Sequence, residues 1–301
     1  MTGESPTGTR TQAPEPQRRP LVPSLTPVVV TARGRRDTNQ DRVCALRTLV
    51  GGEPAVLLAV ADGIGGLAAG EQAADLALQV VSHYAHYVLP ESEASAAGLR
   101  GTLGNLLHAA GRRIWLWSRD HGLGGAAGST LVCALAWDHH YLVAHAGDSR
   151  CYYVNHRGAS PLTLDHTEAA RLVREGALAP ENARLSPLSH RLTNALGWPT
   201  ELVVDLVPGS DELGALDEDC ALLVCSDGLH TMVTESDIHA ALHETRGVEE
   251  ACRRLVALAL DRGSSDNVSV AAVEVGRLLR VCDMDVRGCG RVEVGSGYLI
   301  V

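Results

Sequence analysis

The 301-residue chain contains no lysine and no phenylalanine. All 26 of its basic residues are therefore arginine, and several chemistries fall away. A Walker-type phosphate loop needs its lysine, a protein kinase its strand lysine, and a Schiff-base enzyme its amine. Any phosphate held by a cationic side chain must be held by an arginine fork, which suits bidentate contact. Without phenylalanine the core has to be built from Leu, Val and Ala. No apolar run approaches the roughly 20 residues needed to cross a bilayer. Met1 to Pro20 has no apolar stretch of the secretory kind, so a cytoplasmic location is expected. A net charge of −10 argues against a nucleic-acid partner, whose phosphates demand a basic face. The eight cysteines include no Cys-x-x-Cys pair, and most lie in apolar runs, so buried reduced thiols are expected.

What is present reads as a soluble α+β domain. Residues 1–26 carry five of the 13 prolines and no apolar period, which predicts a disordered Pro-rich leader. Val28–Val30, Val43–Leu49 and Val56–Ala61 read as strands. Helical spacing follows over Glu71–Leu89 and Leu99–Ser118. Strands are expected at Thr130–Trp137, Tyr141–Ala146 and Cys151–Val154, a short helix at Glu168–Glu175, and an irregular segment at 176–200. Strands at Val203–Val207 and Ala221–Cys225, helices at Ser236–Glu244 and Val248–Leu260, and a closing strand at Val268–Val275 complete the pattern. Strands, then two helices, then strands again and two late helices suit α+β better than a βαβ series. The stretch 277–301 shows no assignable pattern, which leaves 27–276 as the folded domain.

Acidic turns at strand ends carry the chemistry. Val56–Ala61 runs into Asp62-Gly63, Tyr141–Ala146 into Gly147-Asp148, and Ala221–Cys225 into Ser226-Asp227-Gly228, while Asp266-Asn267 leads into the strand at Val268. One Asp-Gly after a strand is ordinarily a turn. Several carboxylates gathered at one sheet edge repel each other unless cations neutralise them. An all-oxygen set without His suits magnesium or manganese rather than zinc. Two such ions can clamp a phosphoryl group for in-line attack. Gly63, lacking a side chain, lets its carbonyl approach an ion closely. Upstream, Arg36 is a candidate to grip a substrate phosphate, and Asp41 adds another acid.

In series, these residues resemble the metal-dependent protein phosphatase family, the type 2C serine/threonine phosphatases, in its bacterial form. The resemblance covers Arg36–Asp41, Asp62–Gly66 with Gly70-Glu71, Gly128–Thr130, Gly147–Arg150, Leu162–His166, Leu192–Gly197, Ser226–Leu229 and Ser265–Asn267. It implies a four-layer α-β-β-α sandwich of two antiparallel sheets flanked by helices, with the metal site at one end of the sheets. It implies two Mn²⁺ or Mg²⁺ ions bridged by Asp62, the second also held by the Gly63 carbonyl. Asp227 and Asp266 would ligate the first ion, and Asp148 with Asp227 a third, weaker one. Arg36 would bind phosphate, Asp41 would contact metal-bound water, and Asn267 would shape its turn. The implied reaction is in-line attack of a metal-bridging hydroxide on phosphoserine or phosphothreonine, without a covalent intermediate. Phosphoproteins, a Ser/Thr kinase among them, are the implied partners, and a monomer is expected.

Four departures qualify the match. Gln40 stands where many members carry Glu, Ile64 where animal members carry a His, and Ser129 and Asn194 where Thr and Arg are usual, the last two with room to alter substrate contacts. The alternatives are a phosphatase of small phosphoesters rather than proteins and an inactive phosphoprotein-binding regulator of the same fold. Retention of Asp62, Asp227 and Asp266 speaks against the regulator. Cys151 to Arg157 has the Cys-x5-Arg spacing of cysteine phosphatases, but Tyr152-Tyr153-Val154 predicts a strand where that chemistry needs a loop opening a helix. His83/His86 and His139/His140 are read as packing or surface residues.

Overall fold

The computed structural model describes residues 25–66 and 68–276, so the expectations for the leader through Ser24 and for 277–301 lie outside the described residues. One sheet has the order β1 (Leu25–Ala32), β12 (Val268–Val275), β11 (Cys220–Cys225), β7 (Arg150–Asn155), β8 (Gly158–Pro161). The other runs β10 (Gly214–Ala215), β6 (His140–Ala146), β5 (Leu131–Trp137), β3 (Glu53–Ile64), β2 (Asp41–Val50), with β9 (Asp205–Val207) on β6 and β4 (Gly128–Ser129) on the end of β3. Every pairing is antiparallel.

Alternation along the strands dictates the layers. In β3, Val56, Leu58 and Val60 join Val132, Leu222, Val224 and Ala271 in the core between the sheets. Leu57 and Ala59 on the opposite face pack with α1 (Ala68–His83) and α2 (Ala96–Asp120) through Ala77, Val81, Leu103 and Leu107. A strand buried on both faces reads as a continuous apolar run rather than an alternating one. On the far side, Leu223, Val270 and Ala272 face α6 (Glu235–Glu244) and α7 (Val248–Asp261) through Ile238, Leu255 and Ala259. The result is the four-layer α-β-β-α sandwich. Three short helices, α3 (Glu168–Arg174), α4 (Pro180–Ala183) and α5 (Asp227–His230), lie outside the layers' long helices.

Local chemistry sets the boundaries that periodicity missed. Strand β1 begins at Leu25, two residues inside the leader as drawn from composition. Ser95 caps α2 by accepting from the Gly98 N–H, and Thr234 with Asp237 forms a reciprocal capping box on α6. The helix expected to run to Leu89 stops at His83 and widens into a π turn over Tyr84–Val88. Pro90, just beyond, has no N–H and its ring opposes the carbonyl of His86. The 176–200 segment is irregular, as expected, apart from α4 and a 3₁₀ turn at Pro187–His190.

Two motif readings need correction. Asp62 and Gly63 are not in a turn: β3 continues to Ile64, with Gly63 opposite Ser129 and Ile64 opposite Gly128, and the chain turns only at Gly65, where φ is +133°. Asp227 likewise opens a helical turn, α5, rather than a reverse turn. The predicted closing strand, β12, lies inside its sheet between β1 and β11.

Candidate metal centre

Strand register alone brings the acidic residues to one edge. Asp41 stands opposite Asp62 across the β2–β3 pair. Cys225, at the end of β11, pairs with Arg150 at the start of β7 and with Val270 near the start of β12. Asp148 and Asp227, each two residues from those positions, and Asp266, four before Val270, therefore emerge together. Ala146 pairs with Leu131, and Val132 with Val60, so the ends of β6 and β3 share that edge.

The electrostatics show the convergence. Burial, followed by the charges of Asp41, Asp227, Asp148 and Asp266, holds the Asp62 carboxyl well above the usual carboxylate range. Burial pushes Asp41 up to about 7, against hydrogen bonds from Ser226 and Ser269 and with Asp227 and Asp266 adding to the rise. Asp148 is raised by burial and then by Asp227 and Asp165. Burial opposes ionisation of Asp227 too, but His190, His230 and a hydrogen bond with Asp62 hold it below its ordinary value. Burial and mutual repulsion thus disfavour full ionisation of Asp41, Asp62 and Asp148 together.

Among the described residues, few cationic groups reach these carboxylates. Arg36 donates from Nη2 to Asp266 Oδ2 at 2.7 Å, and His190 Nδ1 lies 3.8 Å from Asp227 Oδ2. Asp41 is 3% exposed; its Oδ2 accepts from Ser226 Oγ at 2.7 Å, while its Oδ1 is buried without a partner, as is Asp227 Oδ1. Buried carboxylate oxygens with no donor, in an all-oxygen set, fit hard divalent cations.

Backbone packing supports these side chains. The Asp62 N–H donates to Thr130 Oγ1 at 3.0 Å, and the Asp62 carbonyl accepts from Thr130 N–H at 2.9 Å and Ser129 Oγ at 3.0 Å. A Cβ on Gly63 would lie 2.2 Å from the Gly70 carbonyl oxygen and 2.9 Å from that of Gln40, so the backbone there approaches its neighbours as no other residue allows. Gly63→Ala should cost about 1–3 kcal/mol, seen in thermal denaturation with EDTA present; a melting temperature equal to wild type would show that the strand end yields freely. Asn267 shapes its turn, donating to the carbonyls of Arg33 and Thr38 and accepting from Gln40 N–H.

Sequence reasoning missed several supporting residues. Ser129 and Asn194, read as possible modifiers of substrate contacts, are buried supports: Ser129 holds the Asp62 carbonyl, and Asn194 bridges His166 and the Val203 backbone. His166 braces the turn that carries Asp148. Its Nδ1 accepts from Gly147 N–H at 3.1 Å, its own N–H donates to the Gly147 carbonyl at 3.0 Å, and its Nε2 meets Asp205 Oδ2 at 3.1 Å. The signal in sequence was the Asp165-His166 pair, which spacing could not connect to Gly147.

His145, His166 and Asp205 are also, among the described residues, the trio whose ligand atoms all lie within 4.8 Å of one another. Because Gly147 N–H points at His166 Nδ1, the ring proton sits on Nε2 and donates to Asp205, leaving no lone pair there for a metal. Cys151 is fully buried on β7, its thiol pushed up by burial, which removes the cysteine-phosphatase reading. The six described cysteines are free and buried, as expected. Among the described residues no helix is long and apolar enough to cross a membrane.

Comparison with known proteins agrees with this geometry. Residues 27–268 match the protein phosphatase 2C family. A Listeria monocytogenes protein named serine/threonine phosphatase Stp is 30% identical over 81% of this chain and 93% of its own length. The structure of the S. agalactiae serine/threonine phosphatase superposes with a TM-score of 0.74 at 28% identity, covering 83% of this chain and 99% of that one. The catalytic domain of the serine/threonine protein phosphatase PstP, crystallised with two manganese ions, gives 0.67 at 30% identity, covering 84% and 98%. The chain belongs to the protein phosphatase 2C family and is a metal-dependent serine/threonine phosphatase.

Proposed function

We propose that this chain hydrolyses phosphoserine and phosphothreonine in proteins, using two Mn²⁺ or Mg²⁺ ions held at the five-aspartate edge and no covalent enzyme intermediate. The observation that carries the reading is the meeting of Asp41, Asp62, Asp148, Asp227 and Asp266 from separate stretches of chain, with two of their buried oxygens unpartnered. Asp62, central to the cluster, would hold both ions, with the Gly63 carbonyl contributing to one and Asp227 and Asp266 to the other. Asp148 with Asp227 would hold a third, weaker ion. When bound, the ions supply a water acidified towards neutral pH and the positive charge that a phosphoryl group in transfer requires.

The chain's own residues do the rest. Arg36, exposed and engaged through one nitrogen, retains N–H donors for the phosphoryl oxygens and orients them bidentately. Asp41, held by Ser226, accepts a hydrogen bond from an attacking water. The Ser149 hydroxyl, next in sequence to Asp148, is 2% exposed and bound to Thr130 Oγ1 at 2.7 Å, which removes it as a nucleophile. Retention of Asp62, Asp227 and Asp266 supports an active enzyme over an inactive phosphoprotein-binding regulator. A Ser/Thr kinase among the substrates, a cytoplasmic location and a monomeric state belong to the same proposal.

The test is release of phosphate from matched phosphoserine, phosphothreonine and phosphotyrosine peptides with Mn²⁺, with Mg²⁺ and with EDTA. Metal-dependent turnover of the first two and little of the third is expected. Turnover that survives EDTA, or that prefers phosphotyrosine, would overturn the proposal.

A further inference from the structure

A cavity of about 400 Å³ opens beside the metal centre. Asp148 and Asp227 form one wall; Leu164, Val173, Ala183 and Arg174 are among the residues of the others. A void of that volume is on the order of 9 Å across, or about three residues of extended chain. Its composition is unlike that of the aspartate edge. Leu164 is 64% exposed, a large aliphatic side chain left in water at a cavity lined by further apolar groups, which marks a surface with an occupant. Arg174 is exposed and makes no hydrogen bond or ion pair among the described residues, whereas Arg171 on the same helix is held by both Glu168 and Glu175. Of the other arginines on the wall, Arg150 is paired with Asp165 and Arg184 is engaged through one nitrogen with the Thr231 carbonyl, so Arg174 is the lining guanidinium with all its donors available.

We propose that this cavity selects substrate sequence: it takes an aliphatic side chain next to the phosphorylated residue against Leu164 and Val173, and an acidic side chain two or three residues away on Arg174. The inference rests on the phosphatase reading, because only a phosphorylated residue held at the metal centre would present its neighbours to this cavity. Charge complementarity and continuity with the metal centre single out a peptide segment as the occupant. The apolar wall makes the neighbouring aliphatic residue part of the same recognition.

The experiment compares kcat/KM, with Mn²⁺, for phosphothreonine peptides that differ only in Glu, Gln or Lys two or three residues to either side, and in Leu or Ser at the adjacent position. The wild type should favour Glu over Lys on one side by about fivefold at low salt, an advantage that shrinks as salt screens the pair. Arg174→Glu should reverse that order, and Ala183→Trp, which fills the cavity, should remove the preference for Leu while p-nitrophenyl phosphate reports the state of the metal centre. Equal rates across the charge series, or an order unmoved by Arg174→Glu, would overturn the subsite while leaving the phosphatase intact. No metal-dependent turnover of any peptide or of p-nitrophenyl phosphate would overturn the phosphatase reading and the subsite with it.

Discussion

Asp62→Asn should lower Mn²⁺-dependent kcat/KM by at least about 1,000-fold, roughly 4 kcal/mol of barrier, while leaving the metal-free protein as stable as wild type or more so. The two halves of this expectation come from one fact. Asp62 is crowded by Asp41, Asp227, Asp148 and Asp266, and burial with those charges holds its carboxyl well above the ordinary range. A neutral amide of the same shape relieves that repulsion when no cation is present. It also removes the carboxylate at the centre of the proposed metal site. Differential scanning with EDTA and with Mn²⁺ separates the effects, since wild type should gain melting temperature with Mn²⁺ and the variant should gain little. Asp227→Ala should abolish activity to a similar degree. Its ion-free stability should fall instead, because His190, His230 and Asp62 favour its ionised form. Unchanged turnover in either variant would contradict the assignment.

The second large effect is a competition between protons and metal. Asp41 titrates near 7 in the ion-free fold, raised above its ordinary value by burial, so below that pH a cation must expel a proton to use it. Apparent Mn²⁺ affinity, read from the shift in melting temperature, should therefore weaken by about tenfold per pH unit below 7 for each proton displaced. The sign for the ion-free protein is the opposite. A carboxyl whose folded value is raised favours the folded state as pH falls towards its unfolded value. His145 and His230, lowered to about 4 mainly by burial, work against this once pH drops below about 6.5, because unfolding lets them charge. The window from pH 8 to 6.5 isolates the carboxylates: ion-free stability should rise on acidification while the Mn²⁺-induced gain shrinks. A Mn²⁺ gain independent of pH across that window would show that no cluster proton is displaced.

Much of this was legible in the residue order. The doubly buried β3 and β11 announce themselves as apolar runs, and the acids that follow them mark the sheet edge; antiparallel register then converts those separate runs into one site. The two late helices were legible from spacing because each lays a single apolar stripe on the sheet, Ile238 and Ala241 in α6, Leu255 and Ala259 in α7. What spacing could not give were features set by distant partners. Asp62-Gly63 reads as a turn because the residues that keep it extended, Gly128 and Ser129, lie more than 60 positions away. The role of His166 depends on Gly147 and Asp205, each some distance off in sequence and joined only by the fold. The short pairings β4, β8 and β10 carry no periodicity that two to four residues could display.

The most direct test of the central claim is a crystal grown with Mn²⁺ and measured at the manganese absorption edge. Two anomalous peaks flanking the Asp62 carboxylate, with Asp227 and Asp266 on one of them, are the predicted result. Manganese found instead at His145, His166 and Asp205, or absent from the neighbourhood of Asp62, would contradict it.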